Sequence, residues 1–595
     1  MVKIDLTIEI CGMSGDGTIA AGELLNAAMA GAGFSVLAFD SYPAEIRGFG
    51  RCVTRSRVGD EEMIALGDKT HVLLSLDDVQ SRSRLPFLVS GATVFFDNRP
   101  PALLPEGESL AAHVAPETNL VGIPFGDLAA QAAGTSRGKN VAALGGFAAF
   151  FGMPPEPFHL AIERKFKTKG EKVIKGNLDS FDLAYRHTLE ALADRVRDLL
   201  AGRSLAEGPE RPLVSGNKAI AQAALDAGVK LYFGYPITPA TPIMELLAKF
   251  LPEKGGRVVQ MEDEIASIGG VLGSFFAGTR AMTATSGPGF ALMTELITHG
   301  IMAENPAVIV NAQRGGPATG LPTKTEQSDL HAAVFGGPGD SPRPVLAATN
   351  VPECYHLLVK SFQLAEKFQT PVILLTDFYL NNRVETVEPL VPKAENLANG
   401  NLYPSDADKD NYYRFAQTES GISPRALPGM EGFLFATTGL EHSEKGAPEY
   451  SPKNHMAMTE KRHRKMRTAL ADMPLPVAFP EEGTFEVGVV AWGSTFGSAL
   501  EAVHMARDRG WKVGALKIIS LFPYHAAEIR AFMERCKDIL IPELNFEGQL
   551  ATLIGHLHQR DVARLNQTTG VPMAPVTIFE KIAALLGKGA VEDNP

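Results

Sequence analysis

Short apolar runs recur along most of this chain, each ending in a glycine- or proline-bearing turn and leading into helical apolar spacing. Between 213 and 390 the runs are VKLYFGYPITP, PAVIVNAQ and PVILLTD, with NKAIAQAALDAG and PIMELLAKFLPE as helical partners. Strands alternating with helices pair in parallel sheets. Ligands of an open α/β sheet sit outside the carboxyl ends of its strands. Residues 233–242, FGYPITPATP, therefore draw attention. The apolar run Leu231–Phe233 ends there in three prolines and two threonines. Such a segment is stiff, poor in backbone donors and rich in hydroxyls, which suits a ligand-facing loop.

The fold class predicted is a multidomain α/β chain. A first block, 1–195, opens strand–glycine turn–helix (LTIEICGMSGDGTIAAGELL) and closes with the helical pattern from 181. A polar stretch containing proline and glycine, 196–212, reads as a linker. The second block is 213–390. Residues 391–482, rich in Asn, Asp, Pro and charge, read as a long excursion over a partner or an active site. A third block, 483–595, restarts the strand–helix alternation at EVGVVAWGS.

With 595 residues, 45% hydrophobic and 21% charged, the composition is that of a globular protein. A net charge of −12 excludes the broad basic surface that nucleic acid requires. The most apolar windows are broken by glycine and too short to cross a bilayer, and MVKIDLTIEI reads as a first strand and not a leader, so a cytoplasmic location is expected. Cys11, Cys52, Cys354 and Cys536 are too scattered for a zinc site or an iron–sulfur cluster within this chain.

Several turns could carry chemistry. CGMSGDG (11–17) could present backbone N–H groups to a phosphate, but Asp16 would repel an anion, and a tight turn explains it equally. Its GDG is not a thiamine-diphosphate motif, because the next asparagine, Asn26, follows too soon. SYPAEIRGFG (41–50) offers Tyr42, Glu45 and Arg47 for a phosphate or an interface, or is a solvated turn. In QMEDEIASIGG (260–270), acids in a first helical turn are favoured by the helix dipole. Glu264 lies closest to the small-residue helix, where close packing could enclose it and equip it for proton transfer. TATSGPGFALM (283–293) is a hydroxyl-rich turn that could cradle an anion or a cofactor ring, or simply cap a helix. In NAQRGGPATGLPTKTEQSDL (311–330), Arg314 and Lys324 suit a ligand with carboxylates, arginine being able to bind one bidentately. His442 and His455 lack metal-ligand spacing. The run TEKRHRKM (459–466) reads as a solvated basic face.

YPITPATPIMELL, QMEDEIASIGG and QRGGPATGLPTKTEQSDL, in that order, resemble the α subunit of 2-oxoacid:ferredoxin oxidoreductases. TGLEHSEKGAPEYSP and GQLATLI fit the same subunit. GMSGDGTIAAGELL, SYPAEIRGFG and RGKNVAALGG resemble that family's γ domain, fused ahead of α. Here the γ glycine turn departs from the family's more usual GxGGQG. The resemblance implies a γ-type α/β domain, a parallel-sheet domain of the thiamine-diphosphate pyrimidine-binding type, and a C-terminal domain like that of transketolases.

The resemblance also implies a role for each site residue. Glu264 matches the glutamate that hydrogen-bonds the cofactor's aminopyrimidine ring and favours loss of the thiazolium C2 proton. Thr238 matches the threonine that contacts the 2-oxoacid, and Arg314 the arginine on its C1 carboxylate. Lys324 is assigned to the distal carboxylate of a dicarboxylate. Tyr235, Pro236, Ile237 and Ser286 are expected to contact the cofactor with Glu264. No metal ligand is assigned. A separate β subunit would supply the diphosphate and Mg²⁺ site and a [4Fe–4S] cluster, with ferredoxin as electron carrier, coenzyme A as co-substrate and an (αβ)₂ assembly. The fused γ–α chain with PTKTEQSDL looks most like the 2-oxoglutarate enzymes. Pyruvate or branched-chain 2-oxoacid enzymes are the alternatives, together with a non-catalytic scaffold of the same fold.

Overall fold

The computed structural model describes residues 3–42, 50–98, 110–197, 211–393, 397 and 400–589. Glu45 and Arg47, and most of the expected linker, lie outside the described residues. Strands are numbered along the chain. The described residues divide into two compact units, one within 1–214 together with 383–389 and the other within 215–382 together with 390–589.

The first unit is built on β1 (Asp5–Met13), β2 (Ser35–Ser41), β3 (Arg51–Gly59), β4 (Thr70–Ser75), β5 (Leu88–Asp97), β6 (Asn119–Ile123), β7 (Leu213–Ser215) and, from later in the chain, β14 (Val384–Thr386). Their order is β6-β5-β4-β1-β3-β2-β14-β7. β1 runs parallel to β4 and antiparallel to β3. Ile8 and Ile10 enter the main core with Leu25, Phe95 and Phe147. Glu9 between them is fully buried and ion-paired to Arg55 and Arg84. Alternate residues of a strand face opposite sides, so an acid can sit between two core positions. The sequence alone suggests a domain boundary at 390. The structure instead gives 383–389 to the first unit, because Val384 and Glu385 pair antiparallel with Ala38 and Leu37 of β2.

The glycine turn after β1 is filled by its own acid. Asp16 accepts the Met13 N–H at 2.9 Å and pairs with Lys139 at 2.7 Å.

The second unit contains two sheets. β8 (Leu231–Gly234), β9 (Arg257–Gln260), β10 (Ala281–Thr285), β11 (Ala307–Gln313), β12 (Val345–Ala347) and β13 (Pro371–Asp377) form a parallel array in the order β12-β13-β11-β10-β8-β9. β15 (Val477–Phe479), β16 (Phe485–Trp492), β17 (Val513–Ile518), β19 (Cys536–Glu543) and β20 (Ala563–Asn566) form the other. The intervening β18 (Ser520–Phe522) leaves that second sheet and pairs antiparallel with β12, joining the two in one unit.

The excursion packs at the far end of the helices that run back from the site. Arg425 donates to the Phe275 carbonyl at the carboxyl end of the helix Glu264–Phe276. Phe435 meets the Phe276 ring at 6.2 Å.

The basic run is not a solvated face. Within the helix Pro452–Ala469, Lys461, Arg462 and Lys465 are buried. Lys461 and Lys465 both bond the carboxylate of Glu304, the latter at 2.6 Å. Arg462 pairs with Glu441 at 2.8 Å. Glu304 is distant in sequence and Glu441 lies 21 residues before Arg462, so neither enters a count of charge within the run. The four cysteines are all buried and unbridged. Among the described residues no helix is long and apolar enough to cross a membrane, and no cluster of His, Cys, Asp and Glu could hold a metal ion.

Candidate active site

Four adjacent parallel strands, β11-β10-β8-β9, release their loops at one sheet edge. Residues 235–238 follow β8, Glu264 follows β9, Ser286 follows β10 and Arg314 follows β11. The sequence-predicted residues thus converge through the register of the sheet, in keeping with where open α/β sheets bind ligands.

Glu264 is the first residue of its helix, which Asp263 caps by accepting the Ala266 N–H at 2.8 Å. The acidic turn therefore divides its labour: Asp263 serves the helix, and Glu264 turns inward at 5% exposure. Two glycines make that enclosure possible. A Cβ on Gly270 would lie 2.6 Å from the Phe233 ring, so the helix can rest directly on β8. A Cβ on Gly289 would lie 2.1 Å from Glu264 Oε1, so the helix Gly287–Leu292 can approach the carboxyl. Thr285 Oγ1 donates to Glu264 Oε1 at 3.2 Å. No hydrogen bond from the described residues reaches Oε2. Ser286 Oγ is buried without a partner.

Arg314 is 7% exposed. Its Nη1 donates to the Thr238 carbonyl at 2.8 Å, and its Nε is buried without a partner. The two loops that carry the predicted substrate residues are thus joined directly. Burial pushes the guanidinium below its ordinary pKa, opposed by the carboxylates of Asp329 and Glu264. Asp329 is pushed up by burial, although Asn311 Nδ2 donates to it at 3.0 Å. Tyr235 and Pro236 stand exposed, and Ile237 and Thr238 are half-buried.

Lys324 lies in the same loop as Arg314. Gly315 donates its N–H to the Lys324 carbonyl at 3.0 Å, closing residues 315–324 into a compact turn. The ammonium of Lys324 has no ion pair or hydrogen bond among the described residues. Gln327 anchors the loop to the second sheet: its N–H donates to the Leu544 carbonyl at 2.8 Å, and its Nε2 to the Trp492 carbonyl at 3.0 Å. Gln549 donates to the Ser328 carbonyl at 2.8 Å and accepts from the His331 N–H at 3.0 Å, one residue before and two after Asp329.

Sequence reasoning missed Thr285, Gly289, Asp329 and these glutamine anchors. The hydroxyls and glycines of TATSGPG were the available signal for the first two. Asp329 and Gln549 depend on contacts between distant segments and leave no local pattern.

Three family models match the chain. "Pyruvate flavodoxin/ferredoxin oxidoreductase, thiamine diP-bdg" matches residues 222–461, "Pyruvate ferredoxin/flavodoxin oxidoreductase" 7–187, and "Pyruvate:ferredoxin oxidoreductase core domain II" 486–578. The α subunit of 2-oxoacid:ferredoxin oxidoreductase 2 from Aeropyrum pernix is 33% identical, over 83% of this chain and 80% of the relative. The 2-oxoglutarate oxidoreductase subunit KorA of Mycobacterium tuberculosis is 31% identical, over 98% of this chain and 92% of the relative. A solved 2-oxoglutarate:ferredoxin oxidoreductase from Magnetococcus marinus, with 2-oxoglutarate, coenzyme A and succinyl-CoA bound, superposes with a TM-score of 0.90 at 36% identity, covering 98% of this chain and all of that one.

Proposed function

The chain belongs to the 2-oxoacid:ferredoxin oxidoreductase family, and from that premise we propose that it is the fused γ–α subunit of an enzyme interconverting 2-oxoglutarate plus CoA and succinyl-CoA plus CO₂, with ferredoxin as the electron carrier. The observation that carries this reading is the convergence of Glu264, Thr238 and Arg314 at the carboxyl edge of one parallel sheet, with Arg314 bonded to the Thr238 carbonyl at 2.8 Å. A scaffold has no use for a buried carboxyl and a buried guanidinium at strand ends, since each costs desolvation free energy.

The described residues fit the aminopyrimidine end of thiamine diphosphate. Among the described residues, no hydrogen bond reaches the second oxygen of Glu264, and the buried Ser286 hydroxyl has no partner. Exposed Tyr235 follows β8 at the same sheet edge. When bound, this cofactor supplies the carbon nucleophile that lets a 2-oxoacid lose CO₂.

Each residue of this chain then has a task. Glu264 would hold the aminopyrimidine ring and carry the proton at its carboxyl, whose orientation Thr285 fixes. Arg314 holds the C1 carboxylate of the substrate through charge-assisted hydrogen bonds. Its tie to Thr238 sets the guanidinium in place before substrate arrives, so less ordering entropy is lost on binding. The Thr238 hydroxyl, on a backbone restricted by Pro236 and Pro239, meets the substrate near its 2-oxo group. Lys324 meets the distal carboxylate as a point charge. The scattered cysteines leave the [4Fe–4S] cluster to a β subunit, which also brings the Mg²⁺ and diphosphate site.

The test is anaerobic co-expression with the neighbouring gene, where that gene encodes a cysteine-bearing β-type chain. CoA-dependent reduction of a viologen dye is followed with 2-oxoglutarate, pyruvate and 2-oxoisovalerate. The expected result is a preference for 2-oxoglutarate. A preference for either other acid overturns the substrate assignment, and inactivity of a complex loaded with cofactor and cluster overturns the enzymatic reading.

A further inference from the structure

The turn at 567–571, in the C-terminal part of the chain, runs directly beneath the substrate loop. Gly570 has φ +74°, and a Cβ there would lie 2.8 Å from Lys324 Cβ, 3.0 Å from its Cγ and 3.3 Å from its Cδ. Three carbons of the lysine stem therefore rest on the backbone of this glycine. The Gly570 carbonyl also accepts the Thr325 N–H at 3.2 Å, so the residue after the lysine is pinned to the same turn. The turn is itself braced: Gln567 donates its N–H to the Glu543 carbonyl at 3.0 Å and its Nε2 to Thr569 Oγ1 at 2.7 Å.

Lysine is a flexible four-carbon stem carrying a compact charge, and its aim is set by whatever packs against the stem. Here the stem is packed while the ammonium is unpaired among the described residues. From the other side, the Lys324 carbonyl accepts the N–H of Gly315, next to Arg314, at 3.0 Å. The two cations are thus held at a fixed spacing by two backbone clamps. A side chain at position 570 would be strained at this φ, and its Cβ would crowd the lysine stem.

We propose that Gly570 is a positioning residue for substrate specificity: its turn aims the Lys324 ammonium at the distal carboxylate and so selects a dicarboxylic 2-oxoacid over a monocarboxylic one. The proposal rests on the assignment of Lys324 made above, and the experiment separates the two. Lys324→Ala, Gly570→Ala and the double variant are prepared in the complex with the β subunit. For each, KM and kcat are measured with 2-oxoglutarate and with pyruvate, and the Kd of 2-oxoglutarate is measured by calorimetry.

Lys324→Ala is expected to raise KM and Kd for 2-oxoglutarate about tenfold, the size of one charge-assisted contact. Gly570→Ala is expected to do the same without lowering kcat/KM for pyruvate. The double variant is expected to match Lys324→Ala alone, since Gly570 acts through the lysine. If Lys324→Ala changes the 2-oxoglutarate constants and Gly570→Ala does not, the positioning role is wrong while the lysine assignment stands. Equal loss with both substrates in Gly570→Ala, or additive losses in the double variant, reveals a merely structural glycine and also overturns the proposal. No effect of Lys324→Ala removes the lysine assignment, and the proposal with it.

Discussion

The hydroxyl of Thr285 donates to Glu264 Oε1 at 3.2 Å, joining the last residue of β10 to the first residue of the helix after β9. The contact exists because Gly289 leaves no side chain between the two segments. A methyl group there would stand 2.1 Å from the carboxylate oxygen and 2.2 Å from the hydroxyl. Gly289→Ala is therefore expected to displace Glu264 and cut turnover at least tenfold. Overpacking of this kind costs about 1–3 kcal/mol of stability, so the complex should still assemble. Steady-state kinetics beside a thermal melt checks both halves of the expectation.

Arg314 offers a second test. Its Nη1 is committed to the Thr238 carbonyl, and its Nε has no partner among the described residues. Arg314→Ala is expected to lower kcat/KM about a hundredfold or more for every 2-oxoacid, since charge-assisted hydrogen bonds contribute about 1.5–3 kcal/mol each. Arg314→Lys restores charge without the planar fork and should recover only part of the loss. Equal activity in Arg314→Ala would remove it from the substrate site.

Glu304 gives a prediction about stability and pH. It is buried against Lys461 and Lys465, whose charges hold its carboxyl far below the ordinary value. A carboxyl depressed in the folded state contributes stability that is present above its unfolded pKa and is lost as pH falls through its folded pKa. Glu304→Gln strands two buried lysines, a change that costs about 3–5 kcal/mol in comparable cases. The variant should melt well below the wild type at pH 7. The gap should narrow as pH falls below the ordinary carboxylate range near 4.5. Melting curves across that range check the sign, and a gap that widens towards acid contradicts it.

How much of this was legible beforehand depends on how local each feature is. The strand-end loops could be read from the sequence because proline, glycine and hydroxyl residues at the end of an apolar run have few other uses. Those loops, the acidic turn at 260–264 and the family resemblance together pointed to Thr238, Glu264, Ser286 and Arg314, though not to the bond between Arg314 and Thr238. The basic run in the helix Pro452–Ala469 is not a solvated face because its lysines meet Glu304, more than 150 residues earlier, and Arg462 meets Glu441, 21 residues upstream, neither of which a count of charge within the run includes. The boundary at 390 failed for a similar reason: β14 pairs with a strand more than three hundred residues earlier, as the Ala38–Val384 register shows. Asp329 and Gln549 became visible only when the two sheets of the second unit were seen to share one loop.

Glu264 is proposed as the proton-transferring carboxyl of a 2-oxoacid oxidoreductase. The most direct measurement is the turnover of Glu264→Gln in the complex with its β subunit, with bound thiamine diphosphate and assembly quantified in the same preparation. Glutamine keeps the shape of the side chain and its contact with Thr285 but cannot exchange the proton. The expected result is an assembled, cofactor-loaded complex whose turnover has fallen by about a hundredfold or more. Unchanged turnover in that complex would contradict it and leave the chain a scaffold.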